Sequence, residues 1–362
     1  MENIKRDFRD GEGLIPLKPI DLKSIRSFRD MIEAMGQTAF SGRQLGRAYD
    51  ILVELFTQPD SMVIMTLSGA LTVAKQGRII CDLIDRGCVD VIVATGALMT
   101  HGLIEGMGVS HFMMDNTDDK TAYEMGYNRV YDTIELEQSF QSVENMIGDH
   151  ITRLIPALDG VTPPSGSADF CRRIGELCIE KFPQDRSIFA SAARAGIPIY
   201  IPAFTDCELS MDLCFQSIKH RVGPVAEPFD PAIPLLPYNP FADLIDFARR
   251  VYAHTGTLGI FTLGGGVPRN WAQQIAPFFD IMHNHGFPLE RRLFSRGVRI
   301  CPEPVHWGGL SGCTYREGVS WGKFLPEEEG GRYAEVPAEV TSVLPLLIKA
   351  VFEKMDEMAR QR

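Results

Sequence analysis

Short runs of almost wholly apolar residues recur along this chain, and each leads into a turn of small residues. Val89-Asp-Val-Ile-Val-Ala94 ends in Thr95-Gly-Ala, and Leu258-Gly-Ile-Phe-Thr-Leu263 ends in Gly264-Gly-Gly. Pro198-Ile-Tyr-Ile-Pro202 ends in Ala203-Phe-Thr-Asp206, while residues 62–67 and Val298-Arg-Ile-Cys301 are runs of the same kind. A strand with no polar face is covered on both sides, the situation of a parallel sheet between two layers of helix. Between the runs lie segments with helical spacing: 69–86, 143–158, 165–182, 187–195, 240–255 and 270–283, with a final helix over 340–362. Strands alternating with helices predict a doubly wound, mostly parallel α/β sheet of the Rossmann type. Residues 1–45 are polar and charged, with a helix expected over 22–35; they read as an N-terminal helical extension to a domain spanning 46–362. A further amphipathic helix is expected over 44–55.

Composition excludes several classes. In 362 residues, 36 Lys and Arg face 47 Asp and Glu, a net charge of −11, which is the wrong balance for a nucleic-acid phosphate binder. It suits small or cationic partners. No apolar run approaches the ~20 residues of a membrane span, and the charged N-terminus lacks the core of a secretion signal, so a cytoplasmic protein is expected. The eight cysteines are dispersed without a C-x-x-C and read as small buried hydrophobes in a reducing compartment.

In such sheets ligands bind at the carboxyl ends of strands, so the turns carry the chemistry. Gly264-Gly-Gly-Val-Pro268 permits close backbone approach, and Pro268 suits the first turn of a helix whose free N–H groups face a phosphate; a plain tight turn is the competing reading. Thr95-Gly-Ala is small enough to admit a nucleotide. Asp206 stands where an acid either bonds a ribose hydroxyl or caps the next helix. In Glu317-Gly-Val-Ser-Trp-Gly-Lys323 a lysine follows a tryptophan closely. If it lines a pocket, burial lowers its pKa and frees an amine nucleophile for imine chemistry. Trp321 then offers a face to a cation and Glu317 a counter-charge. His283 and His285 lack a third ligand at helical spacing and read as a surface turn, so no metal site is assigned.

Taken together, these pieces resemble the deoxyhypusine synthase family over nearly the whole chain. The resembling segments are Phe28-Arg-Asp-Met-Ile-Glu-Ala-Met-Gly-Gln-Thr-Ala-Phe40, Leu45-Gly-Arg-Ala, Val89-Asp-Val-Ile-Val, Gly126-Tyr-Asn-Arg, Pro202-Ala-Phe-Thr-Asp206, Leu263-Gly-Gly-Gly-Val, Ser311-Gly and Val319-Ser-Trp-Gly-Lys323. The resemblance implies an NAD-dependent aminobutyl transfer. A spermidine amine is oxidised, the imine is captured by the active-site lysine, an acceptor amine displaces it, and the hydride is returned. By this likeness Lys323 is the covalent residue, and Trp321 and Glu317 match polyamine-contacting positions. Thr95, Asp206, Gly264, Gly265, Ser311 and Glu339 (an Asp in the family) match NAD-lining positions. A homotetramer with sites at dimer interfaces is implied too, with the N-terminal extension as an inter-subunit arm.

The sequence also departs from the family. Asn270 replaces a histidine, Glu208 a serine, and Met211 an acid, although Asp212 is adjacent. Trp307-Gly-Gly-Leu310 replaces an acidic run, His101 a cofactor-side glutamate, and Gly69-Ala70 a Ser-Asn pair. The lysine is kept while the carboxylates that grip a dication are rearranged. This favours transfer between small amines, giving homospermidine or a guanidino analogue from putrescine, spermidine or agmatine. A guanidinium would stack on Trp307 or Trp321, and Glu208 and Asn270 would join Trp321 and Glu317 around the substrate. Two other readings stand beside it: a true deoxyhypusine synthase acting on a lysine of the hypusine-bearing translation factor, and an inactive NAD-binding paralogue.

Overall fold

The computed structural model describes residues 13–361 other than 115, 116, 185, 225, 226 and 228; residues 1–12 of the expected extension and Arg362 therefore lie outside the described residues. Among the described residues nine strands are formed: β1 Ser61–Leu67, β2 Val91–Ala94, β3 Phe112–Met113, β4 Tyr127–Val130, β5 Thr133–Leu136, β6 Ile199–Tyr200, β7 Thr257–Leu263, β8 Arg296–Ile300 and β9 Arg332–Val336. Six of them make a sheet in the order β6-β2-β1-β7-β8-β9, and every pairing in it is parallel. The expected doubly wound α/β architecture is present.

Each central strand divides its side chains between two cores, which is why it is apolar throughout. In β1, Val63, Met65 and Leu67 join the larger core, while Ile64 joins the smaller one on the opposite face. Ile92 and Ala94 of β2 oppose Val91 and Val93 in the same manner, as do Phe261 and Leu263 of β7 against Leu258 and Ile260. The larger core is completed by helices Phe40–Thr57, Gly77–Asp85, Ser167–Lys181 and Val340–Gln361, and the smaller by Pro240–Ala253 and Ile275–Asn284. The register aligns Leu67 with Leu263 and with Ala94, and Leu263 with Ile300. The strand ends therefore form one rim. Because the chain winds outward in both directions from β1, the topological switch lies between β1 and β7.

Several elements differ from expectation. The expected helix over 69–86 is helical only at Gly77–Asp85. Ahead of it the chain turns, with Lys75 at φ 60° and the Thr72 hydroxyl donating to the Leu98 carbonyl at 2.8 Å. The helix expected over 22–35 begins at Phe28, because Ser27 caps it by accepting from the Asp30 N–H. The stretch over 270–283 is two helices, Gly266–Gln273 and Ile275–Asn284; Pro277 has no N–H to offer the preceding turn. The stretch over 143–158 is likewise divided, into Glu137–Asp149, Ile151–Leu154 and a short turn at Pro156–Asp159. The run 198–202 contributes only the two-residue edge strand β6. Helix Phe40–Thr57 runs through the expected boundary between residues 45 and 46, and helix Phe28–Gly36 packs on it and on Val340–Gln361. The antiparallel sheet β3-β5-β4 and the strand β9 are additions. Of the cysteines, Cys214 is exposed and Cys313 half-buried; the other six are buried, and all eight are free.

Candidate active site

The turn after β7 is shaped by its glycines. Gly264 takes φ 81° and Gly266 φ 63°, conformations that an L side chain resists. Gly265 is extended, and its constraint is proximity: an added Cβ would lie 2.7 Å from the Ser311 Cα. The Gly265 N–H donates to the Ser68 Oγ at 2.8 Å, tying the turns after β7 and β1 together across the topological switch. Above this point lies an open cavity of about 660 Å³ lined by Ser68, Gly69, Gly264, Gly265, Ser311 and Glu339 among others. A smaller cavity of about 230 Å³ continues over the same rim, sharing Ser68, Gly265 and Ser311 and reaching Thr95 and Asp206. The larger falls within the size of ordinary cofactor sites, and the smaller extends it. All six residues expected to line a nucleotide thus border two connected hollows at the strand ends. Glu339 has a further occupation. Its carboxylate accepts from the N–H and hydroxyl of Thr341 and from the Ser342 N–H, capping the last helix. Burial works to raise its pKa, but these bonds prevail and the net displacement is downward.

Lys323 lies in a neighbouring cavity of about 250 Å³, with Asn270, Glu317, Trp321, Arg269 and Leu310 among its walls. The lysine is only 7% exposed, and its Nζ donates to the Asn270 Oδ1 at 3.0 Å. Burial lowers the ammonium pKa; Cys313 and Glu317 oppose the change, and the nearby Arg269 adds to it. Trp321 is 66% exposed at the mouth and Glu317 is exposed beside it. The chain reaches this position through the short helix Tyr315–Ser320, capped by the Thr314 side chain, and then a turn in which Gly322 takes φ 66°.

Two buried arginines hold the loop between the cavities. Arg269, 2% exposed, donates Nη1 to the Cys313 carbonyl at 2.7 Å. Arg299 donates to the carbonyls of Ser311 and Cys313 at 2.6 and 2.7 Å and to Glu335 at 3.0 Å; Glu335 in turn accepts from the Tyr315 N–H. Strands β8 and β9 therefore fix Ser311 relative to Lys323. Sequence reasoning missed both arginines, since an isolated Arg is ordinarily a surface charge. The one available signal was Arg269 beside Asn270 in the first turn after the glycine triplet.

Not every expected residue joins this cavity. Glu208 lines a different hollow, of about 470 Å³, with His101, Glu137, Glu144, Met211 and Asp212. Its Oε2 is buried without a hydrogen-bond partner. There burial, with Glu144 and Glu208 nearby, pushes the Asp212 carboxyl up to about 6. Trp307 is 72% exposed, is absent from the lining of the Lys323 cavity and stands against His306, so Trp321 alone supplies an aromatic wall. The His283 Nδ1 donates to the Leu289 carbonyl, 2.8 Å away, on the surface.

A family model for deoxyhypusine synthase matches residues 30–351. The chain belongs to the deoxyhypusine synthase family. It is 30% identical to a Methanosarcina mazei protein named "Probable deoxyhypusine synthase 2", over 94% of this chain and 90% of that one. It is 28% identical to a "Deoxyhypusine synthase-like protein" of Chlorobaculum tepidum, over 90% of this chain and 86% of that one. A crystal structure from Entamoeba histolytica, described as a deoxyhypusine synthase, superposes with a TM-score of 0.57 at 17% identity, covering 93% of this chain and 97% of that one; at that identity the likeness concerns the fold. The family is one of NAD-using aminobutyl transferases acting on polyamines. Among the described residues, no helix is long and apolar enough to cross a membrane.

Proposed function

We propose that this member of the deoxyhypusine synthase family is an NAD-dependent transferase that joins small amines through an imine on Lys323. Its products would be homospermidine or a guanidino analogue made from putrescine, spermidine or agmatine. The observation that carries the reading is the buried Lys323 amine, held on Asn270 beside Trp321 and Glu317. A depressed pKa supplies the neutral amine that a carbonyl-like carbon requires.

The glycine cradle at Gly264 and Gly265, which a Cβ would fill, and the adjoining hollows fit a dinucleotide. NAD, when bound, supplies hydride acceptance from the donor amine and hydride return to the product. The chain's own residues do the rest. Lys323 adds through Nζ to the oxidised carbon and expels the donor's leaving amine, and the acceptor amine then displaces Lys323. Asn270 orients Nζ between these steps. Trp321 covers the cationic chain, and Glu317 balances its charge. Thr95, Asp206, Gly264, Gly265, Ser311 and Glu339 are the residues assigned to the cofactor. Glu208 belongs to this reading through assembly: a homotetramer with sites at dimer interfaces would bring a second subunit's acidic hollow toward the lysine. A cytoplasmic location fits the same small-molecule role.

The test is to incubate the chain with NAD and each amine, alone and in pairs, and to resolve products by mass spectrometry. A coupled amine is expected, and it should disappear in Lys323→Ala while NAD binding persists. No coupled product from any pair would discard the reading. The relatives' names favour one competitor, transfer to a lysine of the hypusine-bearing translation factor; aminobutylation of that protein with no small-amine product would establish it instead.

A further inference from the structure

Away from the lysine, three side chains from separate segments converge. His101 comes from the helix Gly96–Gly106, His111 from the loop preceding β3, and Glu135 from β5, the middle strand of the antiparallel sheet. One donor atom from each lies within 4.8 Å of the others. The His101 Nδ1 is 2.5 Å from the Glu135 Oε2, and the His111 Nε2 is 3.2 Å from the Glu135 Oε1. The side chains of His111 and Glu135 are 2% and 1% exposed, and that of His101 is 13% exposed. The Glu135 carboxylate is buried, which by itself raises its pKa, yet the two histidines outweigh burial and hold it below its ordinary value.

The decisive detail is what these atoms do not do. The His111 Nε2 and Glu135 Oε1 are both buried and face each other at 3.2 Å, an ion-pair spacing, without the alignment of a hydrogen bond. Buried polar atoms are nearly always satisfied, and an exception calls for an unrecorded water or ion. A tetrahedral ion bonded at about 2.0–2.1 Å separates neighbouring ligand atoms by roughly 3.3 Å, which is close to the His111–Glu135 spacing. Two imidazoles and a carboxylate, with no thiolate, form a donor set for zinc or ferrous iron.

We propose that His101, His111 and Glu135 bind a divalent transition metal of the zinc class, distinct from the lysine site. His101 also lines the acidic hollow that contains Glu208 and Asp212, which gives the ion an entry path and leaves its open position facing that hollow. The ion fastens β5 to helix Gly96–Gly106, joining the small sheet to the main domain. Lys75, whose Nζ lies 2.8 Å from the His111 Nδ1 and 3.4 Å from Glu105, keeps only Glu105 when the metal takes Nε2, because a neutral ring bonded at Nε2 carries its hydrogen on Nδ1 and no longer accepts from an ammonium.

The proposal is independent of the transferase reading and is tested without turnover. The full-length chain, stripped by chelator and dialysed, is titrated with zinc by calorimetry and with cobalt(II) by visible spectroscopy. Expected are saturation at one equivalent of zinc, a cobalt spectrum typical of four-coordinate nitrogen and oxygen ligation, and a rise in melting temperature on adding zinc. His111→Ala and Glu135→Gln should weaken zinc by more than the roughly 10–100-fold that loss of an outer-shell partner costs, whereas His283→Ala should not change it. Circular dichroism checks that the variants fold; if they do not, the wild-type cobalt spectrum and zinc stoichiometry decide. No saturable binding by the wild type, or binding unchanged in folded variants, overturns the site and leaves a simple His–Glu–His bridge.

Discussion

Replacing Asn270 with alanine isolates the one hydrogen bond that the Lys323 amine makes to a side chain among the described residues. The bond is 3.0 Å long and its donor is 7% exposed, so its loss leaves an ammonium in a poorly solvated place. A hydrogen bond involving a charged partner contributes about 1.5–3 kcal/mol. The acceptor here is a neutral amide and the cavity is open on one side, so the lower end applies. With 1.36 kcal/mol per pH unit, the lysine midpoint should fall by about one pH unit in Asn270→Ala. Asn270→Asp should move it the other way, because a carboxylate favours the charged amine. The assay is competitive acetylation across a pH series, with modification at Lys323 read by peptide mass spectrometry, and it needs no substrate. The wild-type midpoint is expected below the ordinary lysine value of 10.5, since burial lowers it. A wild-type midpoint at or above that value would refute the claim of a desolvated nucleophile. An Asn270→Ala midpoint within a few tenths of the wild type would refute the role given to the bond.

Three other outcomes follow from the same structure. Asp212 is raised from 3.8 to about 6 by burial and by Glu144 and Glu208, so its contribution to stability is complete below the ordinary carboxylate range and is lost as pH rises through about 6. Asp212→Asn should therefore stabilise the fold by about 1–2 kcal/mol at pH 8, after allowance for partial solvation, and by nothing at pH 4; thermal unfolding at the two pH values checks this. Asp243, 5% exposed, accepts from the N–H and hydroxyl of Ser167 at 2.7 Å each and from the Ala168 N–H at 3.1 Å. Asp243→Ala strands buried donors and should cost about 3 kcal/mol or more in urea unfolding. Gly265→Ala meets Ser311 backbone at 2.7 Å; it should weaken NAD binding about tenfold or more, an effect of some 1.4 kcal/mol, without loss of secondary structure, as read by calorimetry and circular dichroism.

The sequence by itself determined the parallel sheet, because strands buried on both faces must be apolar at every position, and that pattern shows without a partner. It also marked the residues that border the hollows, since Gly264, Gly265, Thr95 and Asp206 follow those strands directly and Lys323 follows Trp321 closely. Strand β9 was hidden, because an edge strand such as Arg332–Val336 carries charged residues and its pairing with β8 is a long-range fact. The break at Gln274 was legible in principle from Pro277. Only the tertiary structure decided that Glu208 and Asp212 face a hollow apart from Lys323, that Arg269 and Arg299 are buried clamps rather than surface charges, and that His101 meets His111 and Glu135. These groups are polar and far apart in the chain, and polar side chains have no periodicity that betrays a partner; their neighbours are set by how the helices and the small sheet pack around the strand ends.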